Sequence, residues 1–257
     1  ALGIEELMCR INDEEAKGAA AVRLTTPQAA AAAEHAAAGI AKGGRLIYVG
    51  AGTSGRLGVL DASECPPTFG VSYETVQGHI AGGYGALIHA AEGAEDDADT
   101  GAELIDSLDV NADDTVIGIS ASGGARYVIA AVKRAREKGA YTAAITSNPN
   151  TPLGRAAETE IAAITGAEAV AGSTRMKCGT AQKMVLNMIS TSAMARLGRI
   201  RGGLMTDMVA TNEKLRERAV GIVMRAASVD TERARRALEL ANMDTGAAIR
   251  LIERGEA

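Results

Sequence analysis

Tryptophan is absent from the 257 residues, phenylalanine occurs once, and aromatic residues make up only 2% of the chain. Single-stranded nucleic acid is held largely by stacking bases on aromatic rings, so this composition argues against that class of platform. Positive charge is also in short supply: 27 Lys and Arg stand against 32 Asp and Glu, a net charge of −5. A nucleic-acid backbone finds no broad attraction here. A small anion remains acceptable, because a helix N-terminus holds one without bulk positive charge. No apolar run approaches the roughly 18 residues of a membrane span. The three cysteines, Cys9, Cys65 and Cys178, are odd in number, far apart and without a Cys-x-x-Cys pair. That argues against a disulfide framework or a zinc site and fits a reducing cytosol. Cys65 reads as a small buried thiol. The opening residues carry no signal-like segment, so a cytoplasmic location is expected. His35, His79 and His89 lack metal-ligand spacing, and no metal is expected. His35 and His79 read as structural; His89 precedes an acidic run and is a candidate neighbour of the site.

What the chain does have is aliphatic bulk, with 47% hydrophobic residues, enough for a packed core. After a helical opening, Pro27 begins an Ala-rich helix through Lys42, with Thr26 as its N-cap. Short continuous apolar runs then alternate with helical stretches. Strands are predicted at 45–50, 75–80, 115–120, 141–146 and 160–164, with a helix at 127–138. Continuous apolar strands separated by helices indicate a five-stranded parallel sheet flanked by helices, doubly wound. From Thr180 to Leu197 a long helix presents Met184, Val185, Met188, Ile189 and Met194 on one face, which reads as core. Residues 214–257 read as three short helices, with Asp230 and Asp244 capping the second and third. The domain reading is 1–213 for the sheet domain with its N-terminal helices, and 214–257 for a small helical subdomain.

Two turns stand out. Gly50-Ala-Gly52-Thr53-Ser54-Gly55 joins the first strand to a helix and matches the dinucleotide pattern of spaced glycines. The second strand runs into Ala81-Gly82-Gly83 and lacks the acid that would bind a ribose, and no Walker Lys-Ser/Thr follows. A Gly-rich turn with two hydroxyls at a helix start remains, a place for a phosphate ester or simply a tight turn. Ser120-Ala-Ser122-Gly123-Gly124 repeats the arrangement after the third strand. Two such turns on adjacent parallel strands converge on one crevice, which favours a shared phosphate site. Gly172 to Thr180, with Ser173, Thr174, Arg175 and Lys177, gathers hydroxyls and cations before the long helix. These read either as its cap or as a second wall of an anion pocket. Glu64 lies in Asp61-Ala-Ser63-Glu64-Cys65-Pro66-Pro67, where the prolines are expected to end the helix. Glu95 lies in the acidic run Glu92-Gly-Ala-Glu95-Asp96-Asp97. Each glutamate alone reads as solvated surface, and spacing cannot bring them together.

The block Arg45 to Thr68, with Ala91 to Asp97, Gly172 to Lys183 and Ala210 to Leu215, resembles the N-acetylmuramic acid 6-phosphate etherase family, which carries a sugar-isomerase domain. The opening Met8 to Glu14 is also similar, so the resemblance covers most of the chain. It implies a small-molecule sugar phosphate as substrate, loss of D-lactate to leave N-acetylglucosamine 6-phosphate, no cofactor, and a homodimer whose active sites draw on both subunits. By motif position Glu64 corresponds to the family's general acid and Glu95 to its general base. Gly52, Thr53, Ser54, Ser120, Ser122, Gly123, Ser173, Thr174, Arg175 and Lys177 are its expected substrate-binding residues. Two departures stand out: Gly124-Ala125-Arg126 replaces the family's common Arg-Thr-Pro, and the family's N-terminal extension, which helps form the pocket, precedes this chain's first residue. Other readings are an aldose–ketose isomerase of the same fold and a non-catalytic sugar-phosphate sensor such as the glucokinase regulatory protein. An NAD-binding protein is disfavoured by the missing ribose acid.

Overall fold

The structure, a computed structural model, describes residues 2–208 and 213–257. It forms two compact units, Ala1–Ser63 with Glu74–Ala193, and Glu64–Tyr73 with Met194–Ala257. The break expected at 213/214 falls inside the second unit, after the first residue of its first long helix, Glu213–Ala227.

The first unit runs α1 (Ile4–Leu24), α2 (Thr26–Ile40), β1 (Leu46–Gly50), α3 (from Gly52), β2 (Val76–Ile80), α4 (Ala98–Ser107), β3 (Thr115–Ile119), α5 (Arg126–Glu137), β4 (Tyr141–Thr146), α6 (Pro152–Ala156), β5 (Thr159–Ala162) and α7 (from Lys177). All five strands are parallel, in the order β2-β1-β3-β4-β5. The five expected strands are all present, each within two residues of its predicted ends. Every residue of β1, β3 and β4 is buried, which explains why their runs are apolar without alternation. The order reverses between β1 and β3, and the crevice beyond the strand ends at such a point is where ligands bind in open α/β sheets.

At the other end of the sheet, Arg45 ties β1 to β3. Its backbone N–H and Nε donate to one oxygen of Asp114 at 2.8 and 3.0 Å, and its Nη2 to the other at 2.7 Å. Burial acts to raise the Asp114 carboxyl, but the bidentate guanidinium and the Asn111 and Arg45 N–H groups prevail and hold it below its ordinary value. On α2, His35 stacks on Tyr141 at the start of β4, ring centroids 3.8 Å apart, so its role is packing. His79 is half-buried in β2 beside Gln77, and burial lowers its pKa. Both fit the structural reading.

Two local expectations give way. Thr26 does not cap α2: it is the first helical residue, and its hydroxyl donates back to the Arg23 carbonyl. Pro66 and Pro67 do not end α3, which continues to Phe69 and closes with the Gly70 N–H on the Pro66 carbonyl. A proline removes its own N–H bond and no other donor, and here the two lost bonds fall within the last turn. Cys65 and Phe69, both buried, hold that turn by packing.

The second unit holds the last turns of α3, a hairpin of β6 (Ile200–Arg201) and β7 (Leu204–Met205), and α8 (Glu213–Ala227), α9 (Thr231–Leu240) and α10 (Thr245–Glu253). Asp230 and Asp244 cap α9 and α10 as expected, accepting from the Arg233 and Ala247 N–H groups. The three helices bury their own apolar cluster, including Ala219, Val223, Leu238 and Ile249. Of the block 210–215, residues 210–212 lie outside the described residues.

Candidate functional site

The first turn needs glycine at Gly50: a Cβ there would sit 2.6 Å from the Gly55 nitrogen, inside contact distance. Gly52, at φ +53, opens α3. Thr53 is half-buried and Ser54 buried. The Ser54 hydroxyl donates to Gln182 Oε1 on α7 at 3.0 Å. At Gly179 α7 passes so near that an added methyl would touch Thr53 and Leu57. The first turn and the start of the long helix, far apart in sequence, are therefore neighbours.

The second turn follows β3. Ser120 Oγ accepts from the Gly123 N–H at 3.1 Å and Ser122 Oγ from the Gly124 N–H at 3.2 Å. The two hydroxyls lie 3.4 Å apart. With their oxygens accepting from the turn's own backbone, at least one hydroxyl proton points elsewhere. Gly123 has φ +68, and a Cβ on it would meet Thr151 at 2.3 Å. Ala125 precedes α5 with no side chain capping that helix, so the position where the family commonly has Thr contributes no hydroxyl.

Glu95 is exposed in a short turn, Ala94–Asp96. It lines a cavity of about 220 Å³ with Gly52 of the first turn, Arg56 of α3, Ala81 beyond β2 and Gly93. Arg56 fixes one wall by donating to the carbonyls of Ala86 and Leu87 at 2.7 and 2.9 Å. The neighbouring acids have separate tasks. Asp96 meets Arg126 of α5 at 3.5 Å, and Asp97 caps α4 through Thr100. His89 is exposed and does not line this cavity. Glu64 is exposed near the end of α3, between buried Ala62 and buried Cys65.

Of the fifth motif, Ser173 is half-buried and Thr174 and Arg175 are exposed. Lys177 is 2% exposed, and its ammonium is 2.7 Å from Glu14 of α1. Glu14 also meets Lys17; hydrogen bonds from Lys17 and Lys177 lower its carboxyl pKa to about 2. Glu168 accepts from the Lys177 and Cys178 N–H groups at the start of α7, and burial raises the Cys178 thiol. Asp61, quoted in the sequence only as a neighbour of Glu64, is a buried hub. It accepts from Tyr48 of β1 at 2.9 Å and from Asn187 and Ser190 of α7 at 2.5 and 3.2 Å. A lone acid on an apolar helix face is the signal that could have exposed it; for Gln182 no sequence signal exists. Among the described residues no cluster of His, Cys, Asp and Glu is set to hold a metal ion, and no helix is long and apolar enough to cross a membrane.

Comparison with known proteins bears on this geometry. Residues 28–136 match the family model "Glucokinase regulatory protein N-terminal SIS domain", and residues 97–192 match "SIS domain". An N-acetylmuramic acid 6-phosphate etherase of Cronobacter sakazakii is 51% identical over 255 residues, covering 99% of this chain and 86% of that one. The etherase of Yersinia pestis is 52% identical, covering 95% and 83%. Among solved structures, a phosphosugar isomerase homologue of Bacteroides fragilis involved in capsule formation superposes with TM-score 0.59 at 20% identity, covering 78% of this chain and 99% of its own. A phosphoheptose isomerase of Francisella tularensis superposes with TM-score 0.54 at 17% identity, covering 73% and 98%. At those identities the likeness speaks to the fold alone.

Proposed function

The chain belongs to the N-acetylmuramic acid 6-phosphate etherase family, and from that membership we propose how its residues divide the work. The reaction cleaves the lactyl ether to give N-acetylglucosamine 6-phosphate and D-lactate, a step in recycling cell-wall sugar. In this reading it occurs in the cytoplasm, in a homodimer, without metal or nucleotide.

An alkoxide is a poor leaving group, so direct hydrolysis of an ether is slow. Ring opening gives an aldehyde at carbon 1, which acidifies the proton on carbon 2. Glu95, as carboxylate, takes that proton. The C2–H electrons become the C2–C3 double bond, the C3–O bond breaks, and Glu64 supplies the proton that the departing lactyl oxygen needs. Water then adds at carbon 3 and a proton returns to carbon 2. Each proton transfer is worth roughly 10²–10⁴-fold. The turns at Gly52–Ser54 and Ser120–Gly123, with Ser173, Thr174 and Arg175 as the opposite wall, hold the phosphate, and binding there orients carbon 2; Lys177, expected from the sequence to join them, is buried and held by Glu14 instead. This reading is supported by a cavity that Gly52 and Glu95 both line, with a carboxylate beside the first Gly-rich turn.

As the family resemblance implies active sites that draw on both subunits, the Glu64 that reaches carbon 3 is taken in this reading to come from a second copy. The test of the activity is direct: incubation with N-acetylmuramic acid 6-phosphate releases D-lactate. Interconversion of sugar phosphates without lactate would mark an isomerase, and binding without turnover a sensor.

A further inference from the structure

Among the described residues, two buried side-chain polar atoms lack a hydrogen-bond partner, Gln182 Nε2 and Ser147 Oγ. Both belong to the carboxyl-end side of the sheet. Ser147 directly follows β4, its N–H on the Ala121 carbonyl of the second turn. Its hydroxyl lies against the Cys178 thiol, a weak partner that does not satisfy it. Cys178 and Gln182 are one helical turn apart on α7 and share a face. A row therefore runs from Ser147 past Cys178 and Gln182 to Ser54, between the ends of β4 and β1.

A buried amide N–H without an acceptor weakens the fold, and natural proteins keep few of them. Gln182 is 2% exposed, and its only bonded end is the oxygen that accepts from Ser54. The bond it does make has a chemical consequence. Ser54 has one hydroxyl proton, and it is spent on Gln182 Oε1. Ser54 therefore offers an incoming anion only lone pairs, whereas a phosphate needs donors. The unmet donor nearest that turn is the other end of the same carboxamide. We infer that Gln182 is a further ligand-binding residue: its oxygen accepts the Ser54 O–H hydrogen bond, and its amide N–H is donated to the anionic end of the substrate in place of Ser54. The nitrogen is covered, so the bond requires the first turn to shift and bring the anion against it. The anion is a sugar phosphate, and its identity rests on the etherase reading above.

Gln182→Glu and Gln182→Met separate this role from a structural one. Glutamate keeps the length and the acceptor for Ser54 but has no N–H; methionine keeps neither. The probe is N-acetylglucosamine 6-phosphate, titrated calorimetrically, with N-acetylglucosamine as the phosphate-free control. A hydrogen bond to a charged group implies that both variants bind the phosphorylated sugar at least about tenfold more weakly. Both are expected to lose some stability without ligand, Gln182→Glu by burying a carboxyl and Gln182→Met by removing the acceptor of the Ser54 hydroxyl, so binding is compared at a temperature where all variants are folded. If Gln182 only steadies Ser54, Gln182→Glu binds within twofold of wild type and the inference is overturned. If wild type itself ignores the phosphorylated sugar, the etherase reading fails instead, so the two failures are distinguishable. Should Gln182→Glu not fold, Gln182→Met is titrated in a Ser54→Ala background, where no freed hydroxyl can substitute: binding within twofold of Ser54→Ala alone rejects the inference.

Discussion

Adjacent glycines in the second turn should respond very differently to one added methyl group. Gly123 has φ +68, and its Cβ would lie 2.3 Å from Thr151 Cβ and 2.4 Å from Thr151 Oγ1. Thr151 cannot give way easily, because its hydroxyl caps α6 through the Gly154 N–H and its backbone N–H donates to Glu160. A left-handed backbone costs a non-glycine residue about 1–3 kcal/mol, and overpacking costs about 1–3 kcal/mol more. Gly123→Ala is therefore expected to lose about 3 kcal/mol, which for a chain of this size lowers Tm by roughly 6–12 °C. Gly124 has no positive φ, and its nearest neighbour is Ser122 Oγ at 3.6 Å, an ordinary contact. Gly124→Ala is expected to stay within about 0.5 kcal/mol of wild type. Thermal unfolding of the two variants side by side is the assay. Equal melting temperatures, or a larger loss at Gly124, would refute the turn geometry on which the phosphate site rests.

Mixing Glu64→Gln with Glu95→Gln protein tests the shared site. If each site takes one glutamate from each copy of a twofold dimer, random reassembly restores about a quarter of wild-type lactate release; if both come from one chain, nothing returns. Acid stability follows from the two carboxyls held below their ordinary values. Glu14 and Asp114 are lowered on folding, so their stabilisation is complete above the unfolded values of 4.5 and 3.8 and is lost as pH falls through the folded ones. For Glu14 that window runs from 4.5 to about 2, so the gap in urea midpoint between wild type and Glu14→Gln should be constant above pH 5 and close towards pH 2. A gap independent of pH would show that Glu14 is not the partner of Lys177. Asp114→Asn, which strands the half-buried Arg45 charge, should cost about 3–5 kcal/mol in urea denaturation.

The sheet could be read from the sequence because a strand buried on both faces writes itself as an uninterrupted apolar run, as in Leu46 to Gly50 and Tyr141 to Thr146. Asp230 and Asp244 were equally legible, since a cap is a local bond between a side chain and an N–H three residues on. The ends of α3 and α2 were not, because local rules gave way to context: buried Cys65 and Phe69 hold a helix past two prolines, and the Thr26 hydroxyl finds a carbonyl behind it. The two turns were visible as Ser and Gly after strands, and the reversal of strand order between β1 and β3 supplies what spacing could not, a reason for them to face one crevice. What stayed invisible depends on contacts across more than a hundred residues. Nothing in the sequence links Asp61 to Asn187 and Ser190, Ser54 to Gln182, or Lys177 to Glu14. Glu64 and Glu95 were singled out by resemblance and not by spacing; the fold supports Glu95 by placing it in a cavity with Gly52.

In the proposed mechanism Glu95 removes the carbon-2 proton of a sugar phosphate before the ether breaks. The most direct measurement is solvent deuterium incorporation at carbon 2 together with D-lactate release from N-acetylmuramic acid 6-phosphate, for wild type and Glu95→Gln. Wild type is expected to do both, and the variant to lose both by roughly 10²–10⁴-fold while still binding N-acetylglucosamine 6-phosphate. Lactate release by Glu95→Gln at the wild-type rate, or release by wild type without deuterium at carbon 2, would contradict it.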